Sequence, residues 1–221
     1  MCLIVLAWRV LPSLPLVVAA NRDEFHARPA AAAGFWSDSP AILAGRDLQA
    51  GGTWMGVSRS GQFAAVTNYR GAHEAAAAES RGALVRGFLG ETASPAGYVA
   101  DVASRAARYS GFNLLACDRK ELWWMSNRDG APRSLEPGYY ALGNLLLDSP
   151  DVQPLKARFA GIVAAVEPLF SLLGESRIVH PEYGTRCSTV LLDSGTQLRY
   201  AERSFLPDGS EGETHHYRYS T

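Results

Sequence analysis

The chain has 221 residues, 47% of them hydrophobic and 19% charged, with a formal net charge of −1. That length and apolarity suffice to bury a large core, and the near-neutral balance lacks the basic surplus that DNA, RNA or an anionic membrane surface requires. Three dispersed cysteines (Cys2, Cys117, Cys187) make no disulfide framework, and their odd number suits a reducing compartment. The five histidines lack zinc spacing, with His215 and His216 adjacent and His26, His73 and His180 standing alone, so no metal site is expected.

Residues 1–20 are mostly apolar and end in Ala19-Ala20, but no basic residue precedes the run, and Arg9, Pro12, Ser13 and Pro15 interrupt it. This argues against a secretory signal. No uninterrupted run of about 18 apolar residues offers a membrane helix. The sequence begins with Met1, and a cytoplasmic location is expected.

In chain order, residues 2–10 read as a buried strand, 11–15 as turn chemistry and 16–20 as a returning strand, a hairpin that begins at the second residue. Residues 21–38 read as irregular. Strands follow at 53–58 and 62–67 around a turn with Gly61 where a positive φ is needed. Ser80 is the expected N-cap of a helix to about residue 90, and Ser94-Pro95 opens a second helix that Gly111 ends. Residues 112–117 and 121–126 form another hairpin, and 139–142 a strand before Gly143-Asn144. A long helix is expected over 152–166, bent or ended by Pro168. The last clear hairpin is 187–193 with 197–203. The tail after about 205 reads as loosely held, with an edge strand available at 217–219. Hairpins with two helical runs between them suit stacked antiparallel sheets rather than a parallel βαβ sheet, in one domain over 1–221.

There is no G-x-x-x-x-G-K-[ST] loop, G-x-S-x-G elbow or H-E-x-x-H. Gly51-Gly52 lacks the spacing of a phosphate cradle. The informative polar residues stand at strand ends, where a rigid sheet presents chemistry. They are Cys2, Asn21-Arg22-Asp23-Glu24, Asn68, Asn144 and Arg186.

Asn21-Arg22-Asp23-Glu24 is the tetrapeptide that names the NRDE family, also called the transport and Golgi organization protein 2 family. The chain resembles that family over nearly its whole length, through Met1-Cys2, Gly45-Arg-Asp47, Gly51-Gly-Thr-Trp-Met-Gly56 and Val66-Thr-Asn-Tyr-Arg70. The series continues with Ser80-Arg-Gly82, Gly143-Asn144 with Leu147-Asp148, and the block from Tyr183 to Leu192. A looser resemblance links it to N-terminal-nucleophile hydrolases of the penicillin V acylase and bile-salt hydrolase kind. It implies an α+β four-layer αββα sandwich of antiparallel sheets. It also implies Cys2 as nucleophile, Arg22 and Asp23 as the early pair, Asn68 and Asn144 as the asparagines, and Arg186 as the late arginine. One departure stands out: the early Arg and Asp are adjacent here, and one step along a strand turns a side chain to the opposite face, so the two cannot both inherit those roles.

The implied reaction is hydrolysis of an acyl amide or acyl thioester, with no cofactor required. A free α-amine on Cys2, of pKa about 7.7–8.0, would take the thiol proton, whereas retained Met1 would replace it by a non-basic amide. Arg22 and Arg186 would stabilise thiolate or carboxylate, Asp23 would hold the amine or an arginine, and Asn68 or Asn144 would donate to an oxyanion. The family resemblance also implies a carrier role for haem or for acyl-lipid and coenzyme A compounds, in an apolar cleft rimmed by Arg22, Arg70 and Arg186. Beside these readings stand plainer ones. Cys2 reads as a small buried strand residue, Arg22-Asp23-Glu24 as a surface ion-pair cluster, and the asparagines as turn residues. Arg186 reads as a structural partner of Asp23 or Asp148. Cys117, Cys187, Trp54, Trp123 and Trp124 read as core.

Overall fold

The apolar runs of the first hairpin become two long strands, and strand pairing then organises almost everything else. The computed structural model describes residues 2–71 and 79–221. Met1 and His73 lie outside the described residues, so the fate of the one and the isolation of the other are not addressed by it. In chain order come β1 (Leu3–Leu11), β2 (Leu14–Phe25), β3 (Ala30–Phe35), β4 (Ile42–Asp47), β5 (Met55–Ser58) and β6 (Phe63–Asn68). Then follow α1 (Gly82–Gly90), α2 (Pro95–Ser104), β7 (Phe112–Cys117), β8 (Leu122–Ser126), β9 (Arg133–Ser134) and β10 (Gly138–Leu142). The chain ends with α3 (Gln153–Ala160), α4 (Val166–Gly174), β11 (Tyr183–Asp193), β12 (Gln197–Phe205) and β13 (Glu211–Ser220).

The contacts fall into two units. The first holds residues up to Pro29, Pro137–Gly143 and Leu147–Thr221. It is a six-stranded antiparallel sheet in the order β10-β1-β2-β11-β12-β13. Helices α3 and α4 cover one face, packing Leu155, Phe159, Leu169, Phe170, Leu172 and Leu173 on Leu3, Val5, Val17, Ala19, Val190 and Leu192. The residues of alternate parity, among them Ile4, Leu6, Trp8, Val18 and Leu191, are buried as well. Burial on both faces is why these strands read as continuous apolar runs.

The second unit holds Ala30–Glu136 and Asn144–Leu146. Its seven-stranded antiparallel sheet runs in the order β3-β4-β5-β6-β7-β8-β9, and α1 and α2 cover a face bearing Ile42, Ala44, Ala64, Val66, Leu114 and Ala116. Helix α2 starts as the sequence predicts, with Ser94 accepting from the Gly97 amide at 3.2 Å and proline in the first turn. Antiparallel sheets with helices packed on them make this the expected α+β class. Among the described residues no helix is long and apolar enough to cross a membrane.

Several expectations need correction. Residues 21–38 are not irregular: β2 continues to Phe25 because β11 pairs with it as far as Tyr183 opposite Phe25, and β3 follows on an edge. The helix expected over 152–166 is two helices. The first ends at Ala160 with Gly161 at its C-cap, and Val163, within the expected span, is 74% exposed. Pro168 lies in the first turn of α4, where no amide donor is needed, so it neither bends nor ends a helix. Ser80 stands one residue before the N-cap of α1, and α2 stops at Ser104 rather than near Gly111. The segment after 205 is not loosely held: residues 211–220 pair along β12 as an edge strand.

Two glycine motifs meet in the second unit. The Thr53 amide donates to the Gly82 carbonyl at 3.2 Å, and a Cβ built on Gly52 would lie 2.5 Å from the Gly82 carbonyl carbon. Gly52 thus permits a backbone-to-backbone approach that a side chain would block. Gly52→Ala is expected to destabilise the protein by roughly 1–3 kcal/mol, since neither main chain can yield cheaply. Urea denaturation of the variant beside wild type measures it.

Candidate functional site

Of the polar residues singled out in the sequence, Cys2, Asn21-Arg22-Asp23-Glu24 and Arg186 gather at one end of the six-stranded sheet, and strand alternation decides where each one faces. On one side of β2, Leu3 pairs with Asn21 and Ile4 with Ala20. On the other, Ser188 pairs with Asn21, Cys187 with Arg22 and Thr185 with Asp23, leaving Arg186 as the extra residue of a bulge. Side chains of one parity on β2 point at the helices and those of the other parity point away.

Asn21 and Asp23 face the helices. Asn21, 2% exposed, donates through Nδ2 to the Leu173 carbonyl of α4 at 3.0 Å and accepts the Ser188 hydroxyl at 2.6 Å. Asp23 Oδ1 accepts the Thr185 hydroxyl at 2.6 Å, and the Thr185 oxygen in turn accepts the Ile178 amide at 2.9 Å. These bonds fasten α4 and the strand that follows it to the middle of the sheet.

Arg22 and Glu24 have the other parity. Arg22 is 5% exposed and approaches Glu24 to 3.9 Å, and Glu24 also meets Arg28 at 3.9 Å and accepts the Phe25 amide at 2.9 Å. The plain reading of this segment as a surface ion-pair cluster therefore fails for Arg22 and Asp23, both buried.

Cys2 immediately precedes β1 and is half-buried. Its thiol donates to the Asp23 backbone carbonyl at 3.8 Å, an oxygen that also accepts the Tyr183 hydroxyl at 3.3 Å. The alternation Leu3, Val5, Ala7 toward the helices assigns Cys2 to the parity of Arg22. Burial pushes the thiol pKa up and the Asp23 carboxylate adds to that, while the Arg22 guanidinium opposes both. Cys187, on the far side of Arg22, is buried. Its thiol is pushed well up by burial and by the Glu202 carboxylate beside it. Glu202, 2% exposed, accepts the Thr189 hydroxyl at 3.4 Å.

Arg186 does not pair with Asp23 or Asp148. Its Nη1 donates to the carbonyls of Phe25, His26 and Arg28 at 3.0, 3.3 and 3.1 Å, clamping the turn that leaves β2. Asp148 instead takes Lys156 at 2.7 Å and the Ala141 amide at 2.9 Å.

Asn68 and Asn144 belong to the second unit. Asn144, 8% exposed, donates through Nδ2 to the Asn68 carbonyl at 2.6 Å, and its own carbonyl accepts the Arg70 amide at 2.6 Å. Asn68 presents its side chain to solvent and contributes its backbone to this tie. The six expected residues thus form two sets: Cys2, Arg22, Asp23 and Arg186 at the end of one sheet, and Asn68 with Asn144 in the other unit. Thr185, Tyr183 and Glu202 were not singled out from sequence. The first two lie within the family-like block from Tyr183 to Leu192, whereas Glu202 had no signal beyond lying on an apolar strand. Among the described residues no three His, Cys, Asp or Glu side chains are placed to hold a metal ion.

Comparison with known proteins bears on the fold and the family. A Caenorhabditis elegans N-acylethanolamine-hydrolyzing acid amidase (NAAA) ortholog superposes with a TM-score of 0.56 at 12% identity, covering 87% of this chain and 95% of that one. The class is α+β, and the fold is shared with that amidase ortholog. The sequence also matches the family described as Transport and Golgi organisation 2 over residues 1–176. Transport and Golgi organization protein 2 homologs are 33% identical in Bos taurus, covering 92% of both chains, and 31% identical in Homo sapiens, covering 93% of this chain and 92% of that one. The Drosophila melanogaster Transport and Golgi organization protein 2 is 28% identical over 90% of each chain. The chain belongs to the Transport and Golgi organisation 2 family.

The charges around Cys2 set a pH response. Alkylation by iodoacetamide is expected to rise with pH with a midpoint above that of an unburied thiol. Arg22→Gln should move that midpoint further up, because the cation that favours thiolate is gone. A downward move would contradict the assignment of Cys2 to the parity of Arg22.

Proposed function

We propose that this protein is an N-terminal-nucleophile hydrolase that cleaves an acyl amide or acyl thioester through Cys2. The observation that carries the reading is the half-buried thiol immediately before β1, within the field of a buried arginine, on a fold shared with an amidase ortholog. Loss of Met1 would free the Cys2 α-amine, whose pKa of about 7.7–8.0 suits a general base near neutrality. The amine takes the thiol proton as sulfur attacks the acyl carbon. It returns that proton to the departing amine or thiol, leaving an acyl thioester on Cys2. Water then adds to the thioester, the acid leaves, and the thiol is restored. Arg22 offsets the charge on sulfur. Arg186, its Nη1 committed to three carbonyls, supports the turn beside the site. Asp23 offers its backbone oxygen to the thiol and its carboxylate to the Thr185 hydroxyl.

A second reading, non-catalytic carriage of haem or an acyl-lipid or acyl-CoA compound, is favoured by two of the same observations: the raised thiol pKa and the carboxylate turned away from sulfur. The two readings separate in one experiment. The mass of the N-terminus in cells is measured first, and purified protein is then assayed against fatty acyl amides and acyl-CoA thioesters. Hydrolysis is expected only where Met1 has been removed, and Cys2→Ala should lower it by ~10³-fold or more. Retained Met1 with saturable haem or acyl-CoA binding that survives Cys2→Ala would replace the hydrolase by the carrier.

A further inference from the structure

We infer that β13 is a docking edge for a second copy of this chain, the two copies pairing their β13 strands antiparallel about a two-fold axis at His216. The edges of the two sheets differ in kind. β9 has two residues, β10 has five, and β3 breaks register between Ala31 and Gly34, so each of these edges is short or irregular. β13 runs for ten residues and contains neither proline nor lysine, two residues that commonly blunt an exposed edge.

Register sorts the backbone groups of β13 residue by residue. Thr221, opposite Thr196, donates its amide to that residue's carbonyl at 3.3 Å. Bonded and non-bonded pairs alternate along an antiparallel ladder, so Tyr219, Tyr217 and His215 bond into β12 opposite Leu198, Tyr200 and Glu202. Ser220, Arg218, His216 and Thr214 therefore turn their amides and carbonyls away from β12. No hydrogen bond from another described residue reaches those groups. The side chains of His216, Arg218 and Ser220 are exposed and stand perpendicular to the sheet, clear of a strand arriving in its plane.

The strand's own charge pattern selects the occupant. Glu211 and Glu213 lie in its first half and Arg218 in its second. Antiparallel self-pairing sets the acidic half of one protomer along the basic half of its partner, and it closes as a two-fold dimer. With the axis at His216, Thr214 of each protomer opposes Arg218 of its partner, and no two formal charges of one sign meet. An axis at Tyr217 would instead set each Arg218 against an imidazole rather than a hydroxyl acceptor. The inference does not depend on Cys2 being catalytic.

Sedimentation velocity on the purified chain tests it from about 1 to about 300 µM, since an edge contact of this size supports micromolar association. The sedimentation coefficient is expected to rise with concentration toward that of a dimer. His216→Lys and His216→Glu each set like charges face to face at the axis, and each should raise the dissociation constant roughly threefold or more. An equimolar mixture of the two should restore association to wild-type strength, because unlike charges then face each other. His216→Pro removes an outward amide and no bond to β12, so it should leave only monomer with an unchanged far-UV spectrum. Should it fail to fold, the two charged variants decide. A chain that stays monomeric throughout, as it would were β13 to receive a strand of another protein, overturns the proposal. So does either charged variant associating alone at wild-type strength, or a mixture no tighter than its components.

Discussion

The alternation of side chains along the last residues of β2 is the constraint on which this structure turns. Four consecutive polar residues in a buried central strand would be ruinous unless each found a partner, since a buried polar group without one costs about 1–3 kcal/mol. Two of them point at the helices and are bonded there: Asn21 to α4 and Ser188, Asp23 to Thr185. The other parity places Arg22 between β1, which Cys2 immediately precedes, and β11, which carries Cys187. One tetrapeptide thus fastens a helix to the sheet on one side and sets the field around a thiol on the other.

That division explains why adjacency of Arg22 and Asp23 matters chemically. In a hydrolase whose arginine and aspartate both face the nucleophile, their spacing must preserve strand parity. Here it does not, and the buried carboxylate of Arg22's parity is Glu202, two strands away on β12. Burial raises a thiol pKa unless a cation answers it, so Arg22 and Glu202 act in opposite senses on the sulfurs around them.

Much of the fold was legible because periodicity and turn chemistry are local. The first hairpin, the Ser94-Pro95 helix start and the final hairpin each carry their signal within a dozen residues. What failed depended on distant partners. Residues 21–25 look irregular in isolation and become strand only because β11, some 160 residues on, pairs with them. Pro168 looks like a breaker until the helix is seen to begin just before it. Of the site, the residue types were legible from motif order, and the parity conflict at Arg22-Asp23 followed from strand geometry alone. The role of Arg186 was not, because three backbone carbonyls leave no trace in a sequence.

The interleaving of the two units sets an order of events during synthesis. Nearly all of the seven-stranded unit is one continuous stretch, residues 30–136, and it can pair its strands as soon as that stretch has emerged. The sheet beneath Cys2 cannot close then, because β2 waits for β11 and β11 for β12, both in the last fifth of the chain. The first hairpin, apolar on both faces, must persist through that interval with an open flank, and long-range pairing of this kind forms slowly. The flank of β2 therefore stays unpaired until the final strands arrive.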